Sequence, residues 1–128
     1  HRCSLVFERS ILMSRWQVRQ GDAAAIARQL PENRVHTIVC SPPYYRLRDY
    51  GTKGQVGLED TPEAYCSRLV QIFREARRIL RNDGTLWVNV GDTFAGSGGL
   101  KTPSGIKRKD LIGIPWMLAF ALRADGWY

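Results

Sequence analysis

Val35-His36-Thr37-Ile38-Val39-Cys40-Ser41-Pro42-Pro43-Tyr44 is the stretch on which the reading of this chain turns. Its first six residues are a near-continuous apolar run, which suits a strand of a parallel sheet covered on both faces. Its last four residues form a stiff, polar, aromatic-tipped turn. Two successive prolines fix the direction of the backbone and remove two N–H donors. A loop in this position, at the C-terminal end of a parallel strand, lies where open α/β sheets bind their ligands.

The flanking segments extend the pattern. Trp16 to Gln20 alternates apolar and polar residues, so a short strand is expected there, ended by Gly21-Asp22. Asp22 is suited to cap a helix from Ala23 to Leu30, which Pro31 closes. Ser41 to Asp60 reads as a long loop, and loops of that length in small domains are usually functional or disordered. Thr61-Pro62-Glu63 is a strong helix start: a capping hydroxyl, a proline in the first turn and an early acid. Tyr65, Leu69, Ile72, Phe73, Ala76 and Leu80 then keep helical period, and Asn82-Asp83-Gly84 is expected to end the helix with Gly84 left-handed. Thr85 to Val90 reads as a strand, Gly91 to about Lys109 as a second long loop, and Pro115 to Leu122 as a helix. Trp127 begins what reads as another strand. This order of strands and helices implies right-handed crossovers, a mostly parallel sheet and helices on both faces.

The bulk properties narrow the class. A chain of 128 residues, 44% hydrophobic and 24% charged, can form one globular domain with its own core. No stretch is apolar enough to span a bilayer, and His1-Arg2-Cys3-Ser4 does not open a secretory signal. The net charge of +7 favours a polyanionic partner. Cys3, Cys40 and Cys66 are too scattered for a zinc site or a disulfide framework, so neither metal nor disulfide is expected, and a cytosolic setting is. Trp87 and Trp116 are expected in the core, and His36 is read as structural. Arg68, Arg74, Arg77, Arg78 and Arg81 are read as a solvated helix face. Met13 stands just before the first readable element, so residues 1–12 are taken as an extension and 13–128 as a domain that is incomplete at its C-terminal end.

The turn has a definite chemical capability. An exocyclic amine on a nucleobase is a weak nucleophile because its lone pair is delocalised into the ring. Two acceptors that take both amine protons draw the nitrogen toward tetrahedral geometry and localise that pair. Ser41 offers a hydroxyl oxygen, the Pro42 carbonyl offers a second acceptor, and Pro43 stiffens the pair. Tyr44 offers a flat face for stacking, worth about 1–3 kcal/mol. The base would have to leave its duplex, at a cost of a few kcal/mol that stacking partly offsets.

The segment Ser41-Pro42-Pro43-Tyr44-Tyr45-Arg46-Leu47-Arg48-Asp49-Tyr50-Gly51 resembles the catalytic loop of the amino-group DNA methyltransferases, which act on N4 of cytosine or N6 of adenine. The likeness continues through Gly57-Leu58-Glu59, Thr61 to Tyr65, Arg78-Ile79-Leu80, Asp83 to Asn89 and Gly113-Ile114-Pro115-Trp116. It implies a partial Rossmann-like methyltransferase sheet, S-adenosylmethionine as methyl donor, double-stranded DNA as partner and a restriction–modification or phage/host modification setting. Serine in the first position of the motif points to N4 of cytosine, with N6 of adenine as the alternative. The likeness also gives Asp22 a contact with the adenosine part of the donor, compatible with its capping role.

Asp92-Thr93-Phe94-Ala95-Gly96-Ser97-Gly98-Gly99 imitates the glycine-rich donor loop of that family. The following Leu100 to Gly105 does not open a helix easily, so this stretch is read as a glycine-rich loop near DNA. The family's donor loop is then expected beyond Tyr128, and the chain alone is expected to bind S-adenosylmethionine weakly or not at all. Arg46, Arg48 and Lys53 in the first loop, and Lys101, Lys107, Arg108 and Lys109 in the second, are assigned to DNA phosphates. Competing readings are a related enzyme acting on protein amides or RNA amines, which usually carries asparagine first, and a non-catalytic nucleic-acid-binding remnant. A cytosine-C5 enzyme needs an exposed cysteine nucleophile, and Cys40 lies before the turn, at a strand end.

Overall fold

The computed structural model describes residues 16–96 and 105–128. Five regular elements follow in the order α1 (Ala23–Arg28), β1 (Val35–Cys40), α2 (Pro62–Ile79), β2 (Leu80–Val88) and α3 (Ile114–Ala124). The chain divides into two compact units. One contains the described residues up to Ser41 together with Ile72–Val88, and the other contains Pro42–Gln71 and the described part of Asn89–Tyr128.

In the first unit, Asp22 accepts a hydrogen bond from Ala25 N at 2.9 Å and starts α1 as its sequence implies. The helix ends at Arg28, and Arg78 closes it: its guanidinium donates to Ala27 O at 2.8 Å and Leu30 O at 3.1 Å. Carbonyls at a helix C-terminus have no partner within the helix, so a cation there meets both a hydrogen-bonding need and the helix dipole. Arg78 also pairs with Glu75 at 3.2 Å. It is a clamp, and not the freely solvated side chain that helical charge suggested.

β1 matches its expected bounds and pairs with β2 in parallel. The second strand departs from expectation. It begins directly at Leu80, and Asn82-Asp83-Gly84 lies within it instead of ending the helix. Val35 opposes Leu80 while Thr37 opposes Thr85, so β2 bulges through the intervening residues. Gly84 is needed there for space, not for a left-handed turn. A Cβ at Gly84 would stand 2.9 Å from Leu80 Cδ2, 3.0 Å from Arg81 O and 3.1 Å from His36 O.

The register places Ile38 beside Leu86 and Val39 beside Trp87. Ile38 is 4% exposed, but Val39 is 71% and Trp87 62% exposed. One face of the sheet is therefore covered and the other, with Thr37, Val39, Thr85 and Trp87, is open among the described residues. This corrects the expectation that Trp87 lies in the core. Residues 16–20 form no strand. Their alternation has no partner strand, and pairing, not pattern alone, makes a strand.

The second unit holds the N-terminal half of α2, which Thr61 caps by accepting from Ala64 N at 3.1 Å. Tyr65, Cys66, Leu69 and Val70 of this half are buried, and so are Phe73 and Ile79 in the part of α2 that belongs to the first unit. Each fully buried aliphatic side chain of this kind contributes roughly 1.5–3 kcal/mol. Thr93 to Ala95 and Lys109 to Ile112 make a short antiparallel ribbon, with Phe94 opposite Leu111. In α3, Ile114 and Leu118 are buried, whereas Trp116 is 71% exposed, against its expected place in the core. The helix stops at a Schellman turn: Gly126 is left-handed (φ 95°), its N–H bonds Arg123 O, and Trp127 N bonds Leu122 O at 3.1 Å. Trp127 thus completes this helix end.

Candidate active site at residues 41 to 45

Ser41 follows the last residue of β1 and is exposed. From Pro43 onward, each backbone carbonyl of the turn is held. Tyr65 Oη donates to Pro43 O at 2.9 Å, Leu47 N to Tyr44 O at 3.3 Å, and Thr93 Oγ1 to Tyr45 O at 2.6 Å. Neither the Pro42 carbonyl nor the Ser41 hydroxyl receives or makes a hydrogen bond among the described residues. Among the described residues the turn therefore leaves these two oxygens without a partner and fixes the carbonyls after them.

Two glycines fit against the turn. Gly57 has φ +103°, and a Cβ there would lie 2.9 Å from Tyr44 O and 3.4 Å from Pro43 Cβ. Gly91 lies under the Tyr44 ring, where a Cβ would come within 2.7 Å of Cε2 and 2.8 Å of Cδ2. The Tyr45 ring is buried beside Tyr65, with centroids 5.5 Å apart and planes inclined by 47°. Sequence reasoning did not find Gly57, Tyr65, Gly91 or Thr93 as supports of the turn. Gly57 and Tyr65 carried a signal, as parts of the resembling Gly57-Leu58-Glu59 and Thr61 to Tyr65, and Thr93 stood in the imitated donor loop.

The first loop is braced from within. Arg46, left-handed at φ 53°, donates from Nε to Glu59 O at 2.9 Å and pairs with Asp60 at 3.3 Å. Arg68 pairs with Glu59 at 3.3 Å and donates to the carbonyls of Gly54 and Gln55. Glu59 also accepts from Gly57 N at 2.8 Å, so the carboxylate, both arginines and the glycine form one network. Arg46 is engaged inside the loop, whereas Arg48 and Lys53 are exposed. Lys107, Arg108 and Lys109 are exposed as well, and Lys101 lies outside the described residues.

Asp92 has a role its place in the imitated donor loop does not suggest. Its carboxylate accepts from Thr93 N at 2.8 Å, from Gly113 N at 3.0 Å and from Ile114 N at 3.0 Å. It caps α3 from 21 residues upstream and joins the ribbon's two ends. Ser97 to Gly99 of that stretch lie outside the described residues. Among the described residues no cluster of His, Cys, Asp and Glu could hold a metal ion, and no helix is long and apolar enough to cross a membrane.

Burial raises the acid pKa values beneath the turn. Tyr65 is pushed well above its ordinary value, first by burial and then by Cys66, Glu59 and Tyr44; Cys66 is raised from 9.0 to about 11 by burial and then by Glu63. A raised folded-state pKa means the unfolded chain loses its proton first, so the stability contribution is complete below pH 9.0 and falls as pH climbs through about 11. Urea midpoints are expected to hold steady to about pH 9, then fall toward pH 11, with Cys66→Ala flattening the decline. A midpoint unchanged to pH 11 in the unsubstituted protein would contradict this.

Comparison with known proteins agrees with the geometry. The profile of a DNA methylase family, of N6/N4 methyltransferase type, matches residues 35–127. The type II methyltransferase M.Cfr9I of Citrobacter freundii is 50% identical over an alignment covering 85% of this chain and 42% of that protein. M.XycI of Xanthomonas campestris pv. cyanopsidis is 48% identical, covering 85% and 42%, and M.SmaI of Serratia marcescens is 45% identical, covering 84% and 43%. The chain thus spans about two-fifths of the length of these relatives. No solved structure matches it. A profile running from the start of β1 almost to the last residue, and relatives sharing close to half of the aligned positions, establish that the chain belongs to the N6/N4 DNA methylase family.

Proposed function

We propose that this chain is the base-binding part of a DNA methyltransferase that modifies the exocyclic amine of a flipped base, N4 of cytosine in preference to N6 of adenine. The observation that carries the reading is the pair of free acceptors, Ser41 Oγ and Pro42 O, preceding three carbonyls that are all held. Tyr44 stacks on the base. Ser41 Oγ and Pro42 O accept hydrogen bonds from the two amine N–H groups and so localise the nitrogen lone pair. The nitrogen becomes acidic only as its new bond to carbon forms, so water or Ser41 can accept the released proton afterwards, and no strong base is required. The serine in the first position and the type II relatives favour N4 of cytosine and a restriction–modification setting.

S-adenosylmethionine, when bound, supplies the methyl group. Asp22 fits a contact with it: the side chain is exposed, and one carboxylate oxygen is engaged by Ala25 N, leaving the other for a ribose hydroxyl or the adenine amine. Asp92 does not fit, because its carboxylate is taken by three backbone N–H groups. Arg48, Lys53, Lys107, Arg108 and Lys109 are proposed to meet phosphates, with Lys101 assigned on sequence alone; Arg46 braces the loop.

Labelled methyl transfer by the complete gene product, followed by hydrolysis of the DNA, tests the proposal. Label in N4-methylcytosine is expected, and Ser41→Ala should lower turnover by about 10²-fold with DNA binding retained. No label in DNA, or full turnover by Ser41→Ala, would remove the mechanism; label in N6-methyladenine would move the substrate to adenine.

A further inference from the structure

The ribbon that supports the turn also carries an exposed apolar pair. Ile112 N donates to Thr93 O at 2.9 Å and Ala95 N to Asp110 O at 2.8 Å, one on each side of Phe94 and Leu111. That arrangement makes Phe94 and Leu111 a non-hydrogen-bonded pair, with both side chains close together on the same face. Each is 55% exposed, whereas Ala95 and Ile112, which point to the opposite face, are 1% and 7% exposed. The ribbon presents an apolar knob on one side and anchors itself with the other.

Three cations lie next to the knob along the chain. Lys107, Arg108 and Lys109 belong to the same ribbon or lead into it, and all three are exposed. Arg108 lies along Gly96, closely enough that a Cβ on that glycine would meet its Cγ at 2.8 Å. The knob is also tied to the turn. Thr93, the residue before Phe94, holds the carbonyl of Tyr45, the residue after Tyr44. Adjacent Cα atoms are about 3.8 Å apart, so Phe94 stands within a few residues' reach of the place where the base would stack.

A duplex that releases a base is left with a gap in its stack, and apolar side chains set among cations fill or open such gaps in DNA-bending and base-extruding proteins. We infer that Phe94, backed by Leu111, is a wedge that enters the DNA stack where the target base leaves, with Lys107, Arg108 and Lys109 gripping the neighbouring phosphates. This rests on the methyl-transfer reading above. The positive flank selects duplex DNA as the occupant over another part of the protein.

The experiment uses the complete gene product, with its target site first mapped by sequencing modified DNA. Transfer is measured on a duplex with the target base paired and on the same duplex with it mispaired. Phe94→Ala is expected to lower kcat/KM at least about tenfold on the paired duplex and less than about threefold on the mispaired one, whose base is already loosened. Phe94→Leu should recover most of the loss, and 2-aminopurine placed at the target should brighten with the unsubstituted protein but not with Phe94→Ala. Equal loss on both duplexes, or no loss on either, overturns the wedge. Equal loss with a lowered urea midpoint would mark the pair as a packing surface for another part of the protein. If the unsubstituted protein methylates no DNA, the methyl-transfer reading itself fails; if it does and Phe94→Ala behaves identically, only the wedge fails.

Discussion

Gly91→Ala is expected to lower methyl transfer by about 10²-fold while the protein stays folded, because the methyl group it adds displaces the Tyr44 ring. The added Cβ would stand 2.7 Å from Tyr44 Cε2, so the ring must move by roughly 1 Å to reach ordinary van der Waals separation. The ring is partly exposed and can move at small cost in stability. It cannot move and still present the stacking face in the same place. A displacement of about 1 Å at a reacting centre is enough for a loss of that size. Turnover measured beside a urea melt separates the two effects: unchanged turnover in Gly91→Ala would detach Tyr44 from the reaction, and a collapsed melt would make Gly91 a folding residue.

Asp92→Ala should produce the largest loss of stability, about 2–4 kcal/mol in the second unit. Three N–H groups would lose a charged acceptor at once, two of them at the start of α3, where Gly113 has no side chain to replace it. An ordinary helix cap contributes about 1 kcal/mol, and Asp22, which makes one exposed capping bond, serves as the comparison. Asp92→Asn keeps an acceptor oxygen without the charge and should fall between the two. Equal urea midpoints for Asp22→Ala and Asp92→Ala would show that the long-range clasp adds nothing to a local cap.

Local chemistry was legible in the sequence. The apolar run of β1, the Thr61-Pro62-Glu63 start of α2 and Asp22 as a cap each depend on neighbours within four residues, and each stands where it was read. Features set by distant partners were not legible. Asn82-Asp83-Gly84 carries the composition of a helix stop, but the backbone of His36 and the Leu80 side chain leave no room for a Cβ at Gly84, and the segment is a bulged strand. Trp87 and Trp116 have core-like identities, yet their burial depends on what lies across from them, and both are exposed.

The site divides along the same line. The acceptors and stacking ring proposed for Ser41 to Tyr44 are consecutive, so they could be picked out from the sequence. The supports of the turn are not consecutive: Tyr65 reaches Pro43 from 22 residues away, and Thr93 reaches Tyr45 from 48. Arg46 looked like a phosphate ligand by charge and position, but Glu59 and Asp60, which occupy it, are brought near only by the course of the loop.

A sheet of two strands is all rim. Among the described residues β1 and β2 each have one partner strand, and Val39 and Trp87 are exposed side by side on the sheet. Such a border invites another chain to add itself as a third strand. A net charge of +7 opposes the approach of one copy of this chain to another, and salt screens that repulsion beyond a Debye length of about 8 Å at physiological strength. Salt that weakens the proposed phosphate contacts therefore also lowers the barrier between one copy and the next.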